Sequence, residues 1–172
     1  MNKIEIVKNG ITHLGTDTVV NAANEGLWQG NGVCGAIFAA AGAAELTKAC
    51  DAIGHCDTGK AVITPAFKLD AKYIIHAVGP RWHGGKSGER EQLYGAYASS
   101  LELAVKNGCR SIGFPLISAG IFGYPLEKAW QVALEACTDF LKAHADCDLT
   151  IRFGVPDAHN RDVGEKMLEE TK

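Results

Sequence analysis

Two asparagines three residues apart, Asn21 and Asn24, follow the β-branched run Val19-Val20, where a buried strand ordinarily continues with apolar side chains. Buried amides need hydrogen-bond partners. The pair therefore either ties down the loop that follows or faces a ligand rich in hydroxyl groups. That loop carries Gly30, Gly32 and Gly35 and runs into an alanine-rich stretch at helical spacing, with Glu25 as the single charge between residues 19 and 42. Taken alone, a glycine loop ahead of a helix is an ordinary tight turn. It is also where an anion such as a phosphate settles, because N–H groups at a helix start lack intrahelical partners and small residues let a ligand approach the main chain. A second loop of the same make, Ser118-Ala119-Gly120-Ile121-Phe122-Gly123, precedes Pro125 and another helix. Two such loops can clamp two linked phosphates, with asparagine beside one end.

The elements that must position these loops alternate between strand and helix. Lys3 to Lys8 alternates around Ile4 and Ile6-Val7 and predicts a strand, closed by Asn9-Gly10; Ile11 to Asp17 reads as loop or a short turn. Val19 to Ala22 is the next strand, Val33 to about Ala41 a helix ended by Gly42, and Ala43 to Ala52 a second helix closed near Gly54. Gly59 to Thr64 and Tyr73 to Val78 read as strands, the second apolar enough to lie centrally in a sheet covered on both faces. His76 within it reads as a core histidine bonded to a neighbour rather than a catalytic one. Arg81 to Gly88 is a basic, mobile loop, either a lid or a solvated connection.

Leu93, Tyr94, Tyr97, Leu101 and Val105 recur near a period of 3.6 and predict a helix from Glu91 to Lys106. Ser111 to Phe114 is a strand, Pro125 opens a helix to about Ala143, Leu149 to Phe153 is the last strand and Ala158 to Glu170 the last helix. This alternation predicts a three-layer α/β/α sandwich around a mixed, mostly parallel sheet, in one domain spanning residues 1–172. Ligands of such sheets sit outside the carboxyl ends of the strands. Both glycine loops follow strands and fall on the same edge.

With 172 residues and a net charge of −3, the chain lacks the basic balance that holding DNA through its phosphates requires. Neither a membrane-length apolar run nor a signal-type start is visible, so a soluble, cytoplasmic monomer is expected. The six cysteines are expected to be free thiols. Cys50, His55 and Cys56 match no zinc spacing and read as a helix end and loop. Neither a metal nor a cofactor is expected.

Several stretches, in order, resemble the macrodomain family: Asn-Ala-Ala-Asn (21–24), Gly-x-Gly-Val-x-Gly-Ala-Ile (30–37), Ala-Ala-Gly (40–42), Thr-Gly-Lys-Ala-Val-Ile-Thr (58–64), Ile-Ile-His-Ala-Val-Gly-Pro (74–80) and Pro-Leu-Ile-Ser-Ala-Gly-Ile-Phe-Gly (115–123). The resemblance implies ADP-ribose, or an ADP-ribosylated protein or metabolite, as partner. By the same resemblance Asn24 orients the distal ribose and is the catalytic residue. Gly30, Asn31, Gly32 and Val33 line the first phosphate loop, and Ser118, Ala119, Gly120, Ile121 and Phe122 form the second, with Phe122 packing near the distal ribose. Ile11 and Ala22 fall at the adenosine end. Loop donors balance the pyrophosphate charge without a metal.

The departures bear on activity. Many hydrolytic members carry aspartate and histidine where this chain has Cys34 and Phe38, so a side-chain base is absent. The remaining route is substrate-assisted, a ligand phosphate orienting water while Asn24 fixes the sugar. Cys34 reads as a small buried hydrophobe. Asn31 replaces the middle glycine of the family's loop, where its side chain crowds or bonds the ribose. Gly10 stands where an aspartate accepts from adenine, and Pro156 where an aromatic stacks on it, with Asp157 as the residue to compensate. These features imply hydrolysis of ester-linked ADP-ribose, with a non-enzymatic ADP-ribose reader or a binder of another nucleotide diphosphate as alternatives.

Overall fold

The computed structural model describes residues 3–30 and 32–171, so the expectation for Asn31 lies outside the described residues. Along the chain run β1 (Lys3–Val7), a 3-10 turn (Ile11–His13), β2 (Thr18–Ala22), α1 (Gly32–Ala41), α2 (Ala43–Ile53), β3 (Ala61–Pro65), β4 (Tyr73–Ala77), α3 (Glu89–Lys106), β5 (Ser111–Phe114), α4 (Leu126–Ala143), β6 (Thr150–Gly154) and α5 (Ala158–Glu170). The sheet order is β1-β6-β5-β2-β4-β3. Every pairing is parallel except β3 with β4. The loops leaving β1, β6, β5, β2 and β4 therefore share one edge.

Side chains of a strand alternate between faces, and β2 shows what this does. Val19 packs with Ile74, Ile37, Phe38 and Leu46 on the α1–α2 side, whereas Val20 packs with Ile75, Leu93, Tyr97 and Trp130 on the α3–α4 side. The three-layer sandwich expected from the sequence is thus built on two apolar clusters, one per face. The 3.6-residue spacing of α3 buries Leu93, Tyr97 and Leu101 completely, and each leucine contributes about 2 kcal/mol by leaving water. Val163 and Met167 bring α5 onto the same cluster.

β4 lies between β2 and β3 with Ile74, Ile75, His76 and Ala77 fully buried, as a doubly covered strand requires. β3 starts at Ala61 rather than Gly59, because Thr58 and Gly59 form a turn that Lys60 N–H closes on the Asp57 carbonyl (3.1 Å). α3 begins at Glu89 rather than Glu91. Among the described residues no single helix is long and apolar enough to cross a membrane.

Candidate functional site

The first loop leaves the sheet at Ala23, whose N–H donates to the Ala77 carbonyl (2.9 Å). Asn24 then folds back on its own loop: its Oδ1 accepts from Trp28 N–H (3.1 Å) and its Nδ2 donates to the Trp28 carbonyl (2.9 Å). The Glu25 carboxylate accepts from Thr58 N–H (3.2 Å) and its hydroxyl (3.0 Å), and Cys56 N–H donates to the Glu25 carbonyl (2.9 Å). The loop is stitched to itself and to the turn before β3. At its far end Gly35 presents a bare Cα to the Gly30 carbonyl, from which a Cβ would lie 2.8 Å away. The first turn of α1 carries no acidic side chain, so its N-terminal N–H groups keep their partial positive charge.

Cys34 is buried, with Gly30 N–H directed at its Sγ (3.4 Å), and Phe38 is buried beside it in the α1 core. Position 34 holds a packed thiol and 38 an aromatic core residue. Val33 is half-buried at the helix start, Ala22 half-buried at the end of β2, and Ile11 buried in the 3-10 turn.

In the second loop Ser118 takes a left-handed conformation (φ 67°) and its carbonyl accepts from Tyr124 N–H (2.9 Å). Gly123 N–H closes on the Gly120 carbonyl (3.0 Å). No protein acceptor among the described residues takes the N–H of Ala119, Gly120, Ile121 or Phe122. Such a row of open donors is what an anion requires. Ser118 is 7% exposed with an unpartnered Oγ, packed so close to Gly79 that any Cβ there would collide with it. Ile121 is 82% exposed.

Asn24, Thr58, Gly79, Arg81 and Phe122 line a cavity of about 470 Å³. Another hollow, of about 450 Å³ between Thr12, His13, Lys68 and Asp70, includes neither glycine loop. Arg81 to Gly88, read from sequence as either a lid or a solvated connection, is exposed at every residue except half-buried Trp82 and is bonded to the residue that follows it. Glu89 pins it from beneath, Oε2 accepting from His83 N–H (2.8 Å) and Gly85 N–H (2.9 Å) and Oε1 from Ser87 N–H (2.6 Å). Burial pushes the Glu89 carboxyl up, but the N–H groups of Gly85, His83 and Ser87 outweigh it and hold the pKa at about 2. Sequence reasoning missed this residue. Its signal was an acid placed directly after a glycine-rich loop with a surplus of N–H donors.

His76 is a structural histidine, as expected. Its Nδ1 accepts from Asn21 Nδ2 (3.0 Å) and its Nε2 donates to Thr64 Oγ1 (3.0 Å), which donates on to the Pro65 carbonyl (3.1 Å). This tautomer satisfies every atom except Asn21 Oδ1. Burial pulls the His76 pKa down to about 4, so the ring is neutral near pH 7. Of the two asparagines, Asn21 belongs to the core and Asn24 to the cavity wall.

Cys50, His55 and Cys56 face separate partners, His76, Asp57 and the Asp57 carbonyl. The exposed side chains of Glu25, His55 and Asp57 bring one ligand-type atom each within 4.8 Å of one another, with Glu25 Oε2 already bonded to Thr58. At the opposite end, Gly10 precedes the 3-10 turn with ordinary extended geometry. Asp157, the residue read as able to compensate there, is exposed and caps α5 with one of its oxygens, Oδ1 accepting from Asn160 N–H (2.9 Å). A helix cap is a strong local competitor for a carboxylate.

The macro domain family model matches residues 20–133. An O-acetyl-ADP-ribose deacetylase of Salmonella typhimurium is 49% identical over 148 residues, 84% of this chain and 82% of that protein. A macro domain-containing protein of Chlorobaculum tepidum is 49% identical over 138 residues, 80% of each. Among solved structures, the Oceanobacillus iheyensis macrodomain with ADP superposes with a TM-score of 0.93 at 35% identity, covering 99% of this chain and 92% of that one. A Trypanosoma brucei macrodomain in complex with ADP-ribose gives 0.88 at 36% identity, covering 96% and 68%.

Proposed function

This chain belongs to the macrodomain family, and from that premise we propose that it binds ADP-ribose-type ligands where β2 and β5 end and hydrolyses ester-linked ADP-ribose. Its substrate is a mono-ADP-ribosylated acidic side chain or O-acetyl-ADP-ribose. The observation that carries this reading is the pair of glycine loops on adjacent parallel strands, the second with N–H groups that nothing in the described protein accepts. The α1 N-terminus and these donors take the pyrophosphate between them.

Asn24 then supplies orientation. Its bridge to Trp28 uses one Oδ1 lone pair and one Nδ2 hydrogen. One acceptor site and one donor remain for ribose hydroxyls, and the bridge fixes their direction before the ligand arrives. With Cys34 and Phe38 packed in the core, water is activated through a ligand phosphate, and positioning contributes several kcal/mol on the scale of intramolecular reactions. An acyl ester needs no more assistance than this. The unpaired thiols fit a reducing compartment such as the cytoplasm.

The test is calorimetric titration with ADP-ribose, ADP and ribose 5-phosphate, followed by a turnover assay on O-acetyl-ADP-ribose. ADP-ribose is expected to bind more tightly than either fragment, and the ester to be consumed. Retention of ADP-ribose without ester loss would make the protein a reader, the outcome that the missing bases at 34 and 38 favour. Failure to bind ADP-ribose would overturn the proposal and direct the search to other nucleotide diphosphates.

A further inference from the structure

The Arg81–Gly88 segment has little reason of its own to hold one shape. It contains no regular structure, and Gly84, Gly85 and Gly88 sit at positive φ, where ordering costs the most backbone entropy. A single side chain organises it. The Glu89 carboxylate gathers the N–H groups of His83, Gly85 and Ser87, and the residue is 1% exposed. No Lys, Arg or His forms an ion pair with it among the described residues. A buried charge held only by backbone dipoles is costly to assemble unless the geometry it fixes matters.

What it fixes lies on the far side of the segment. Trp82 N–H donates to the Phe122 carbonyl (2.8 Å), the Trp82 ring packs on Tyr124 (4.8 Å between centroids), and the Arg81 guanidinium lies over the Phe122 ring (4.5 Å). The connections run from Glu89 through the loop backbone to Phe122. They reach neither the first glycine loop nor the turn at Gly10. Phe122 and Arg81 both line the cavity that Asn24 borders, and so does Glu89, whose two carboxylate oxygens are already occupied by the segment's N–H groups.

We propose that Glu89 is a positioning residue for the sugar end of the ligand: by pinning the 81–88 segment it sets Phe122 and Arg81 against the distal ribose, and so governs preference for ADP-ribose over ADP. This assignment rests on the ADP-ribose reading above. Simple support of the fold would make Glu89 matter equally for both ligands, whereas positioning affects only the one that carries the second sugar.

The experiment compares Glu89→Gln with the wild type by calorimetry using ADP-ribose and ADP, with a thermal melt of each preparation. Glutamine keeps the shape but turns an NH₂ group toward at least one N–H, leaving a buried donor unsatisfied. ADP-ribose affinity is expected to fall about tenfold and ADP affinity to stay within about twofold. Equal losses for both ligands, or none, would overturn the assignment. Trp82→Ala removes the ring contact with Tyr124 while leaving the carboxylate and the backbone bond to Phe122 in place, and should give the same selective loss at about threefold. If Glu89→Gln fails to melt cooperatively, that variant decides, and an unchanged preference in it overturns the assignment. A wild type without preference for ADP-ribose would instead bring down the functional reading, and this assignment with it.

Discussion

On the proposed reading, the two ends of the ligand site are built on opposite plans. At the sugar end the loops are tied to themselves and to one another: Asn24 bonds Trp28, Glu25 bonds Thr58, Glu89 bonds three backbone N–H groups, Trp82 N–H bonds the Phe122 carbonyl and Arg81 lies over the Phe122 ring. At the adenosine end Gly10 offers no side chain, Pro156 is exposed, and Asp157 gives one oxygen to the α5 cap. Rigidity placed before binding lowers the ordering cost at that end. On the proposed reading, this protein invests its fixed geometry where the reacting bond lies and leaves the base loosely held. Selectivity then comes from the sugar and pyrophosphate more than from the nucleobase.

Asn24→Ala tests the rigid end most severely. Removing the amide takes away the bridge to Trp28 and both of the proposed ribose contacts. Turnover of O-acetyl-ADP-ribose is expected to fall by roughly 10²- to 10³-fold, the scale of losing orientation at a reacting centre. ADP-ribose affinity, still held by the phosphate loops, should drop about tenfold at most. Turnover at the wild-type rate would remove Asn24 from the mechanism and erase the contrast between the two ends.

Acid separates the core under β2 and β4 from the pinned 81–88 segment. His76 takes a proton near pH 6.5 when unfolded but only near pH 4 when folded, because burial opposes the charge. Between these values the unfolded chain binds more protons, so stability falls as pH drops from 6.5 to 4. The loss amounts to at most about 3 kcal/mol. Glu89 has the opposite sign: its folded pKa of about 2 lies below its ordinary 4.5, so its contribution is complete above pH 4.5 and lost only toward pH 2. Urea unfolding at pH 7 and pH 4.5 should show the decline in the wild type and a flatter dependence in His76→Gln. Parallel slopes would mean that other groups carry the acid sensitivity.

The sequence revealed repeating features and concealed unique ones. The spacing of Leu93, Tyr97 and Leu101 marked α3 because a helix repeats its buried face, and the glycines before α1 and α4 marked loops because small residues report backbone access. Glu89 stayed invisible, since its role exists only once three N–H groups have been folded around it. The bonds that hold the exposed 81–88 segment were hidden for the same reason: glycine, lysine and serine signal an absence of regular structure and say nothing of backbone N–H groups that a later acid gathers. Asp157 was offered to the ligand from its position after Pro156, but the cap of α5 is a nearer partner. Asn21 and Asn24 looked alike along the chain. The alternation of β2 sends Asn21 to His76, while Asn24, already past the strand, turns to the cavity.

The open end is tested by filling it. A Cβ at Gly10 meets nothing within 4 Å, and φ of −69° suits any residue, so Gly10→Asp adds a carboxylate without backbone strain. If only the adenine contact is missing, ADP and ADP-ribose should both bind about fivefold more tightly, the value of roughly one hydrogen bond. Ribose 5-phosphate should bind as before, and the preference for ADP-ribose over ADP should not move, since the sugar end is untouched. A competing fate exists for the new carboxylate, because Gly10 is the residue ahead of the 3-10 turn and an aspartate there can cap the turn's free N–H groups. That fate raises the melting temperature and leaves all three affinities unchanged. Calorimetry beside a thermal melt therefore distinguishes a base site lacking one acceptor from a base that is held elsewhere.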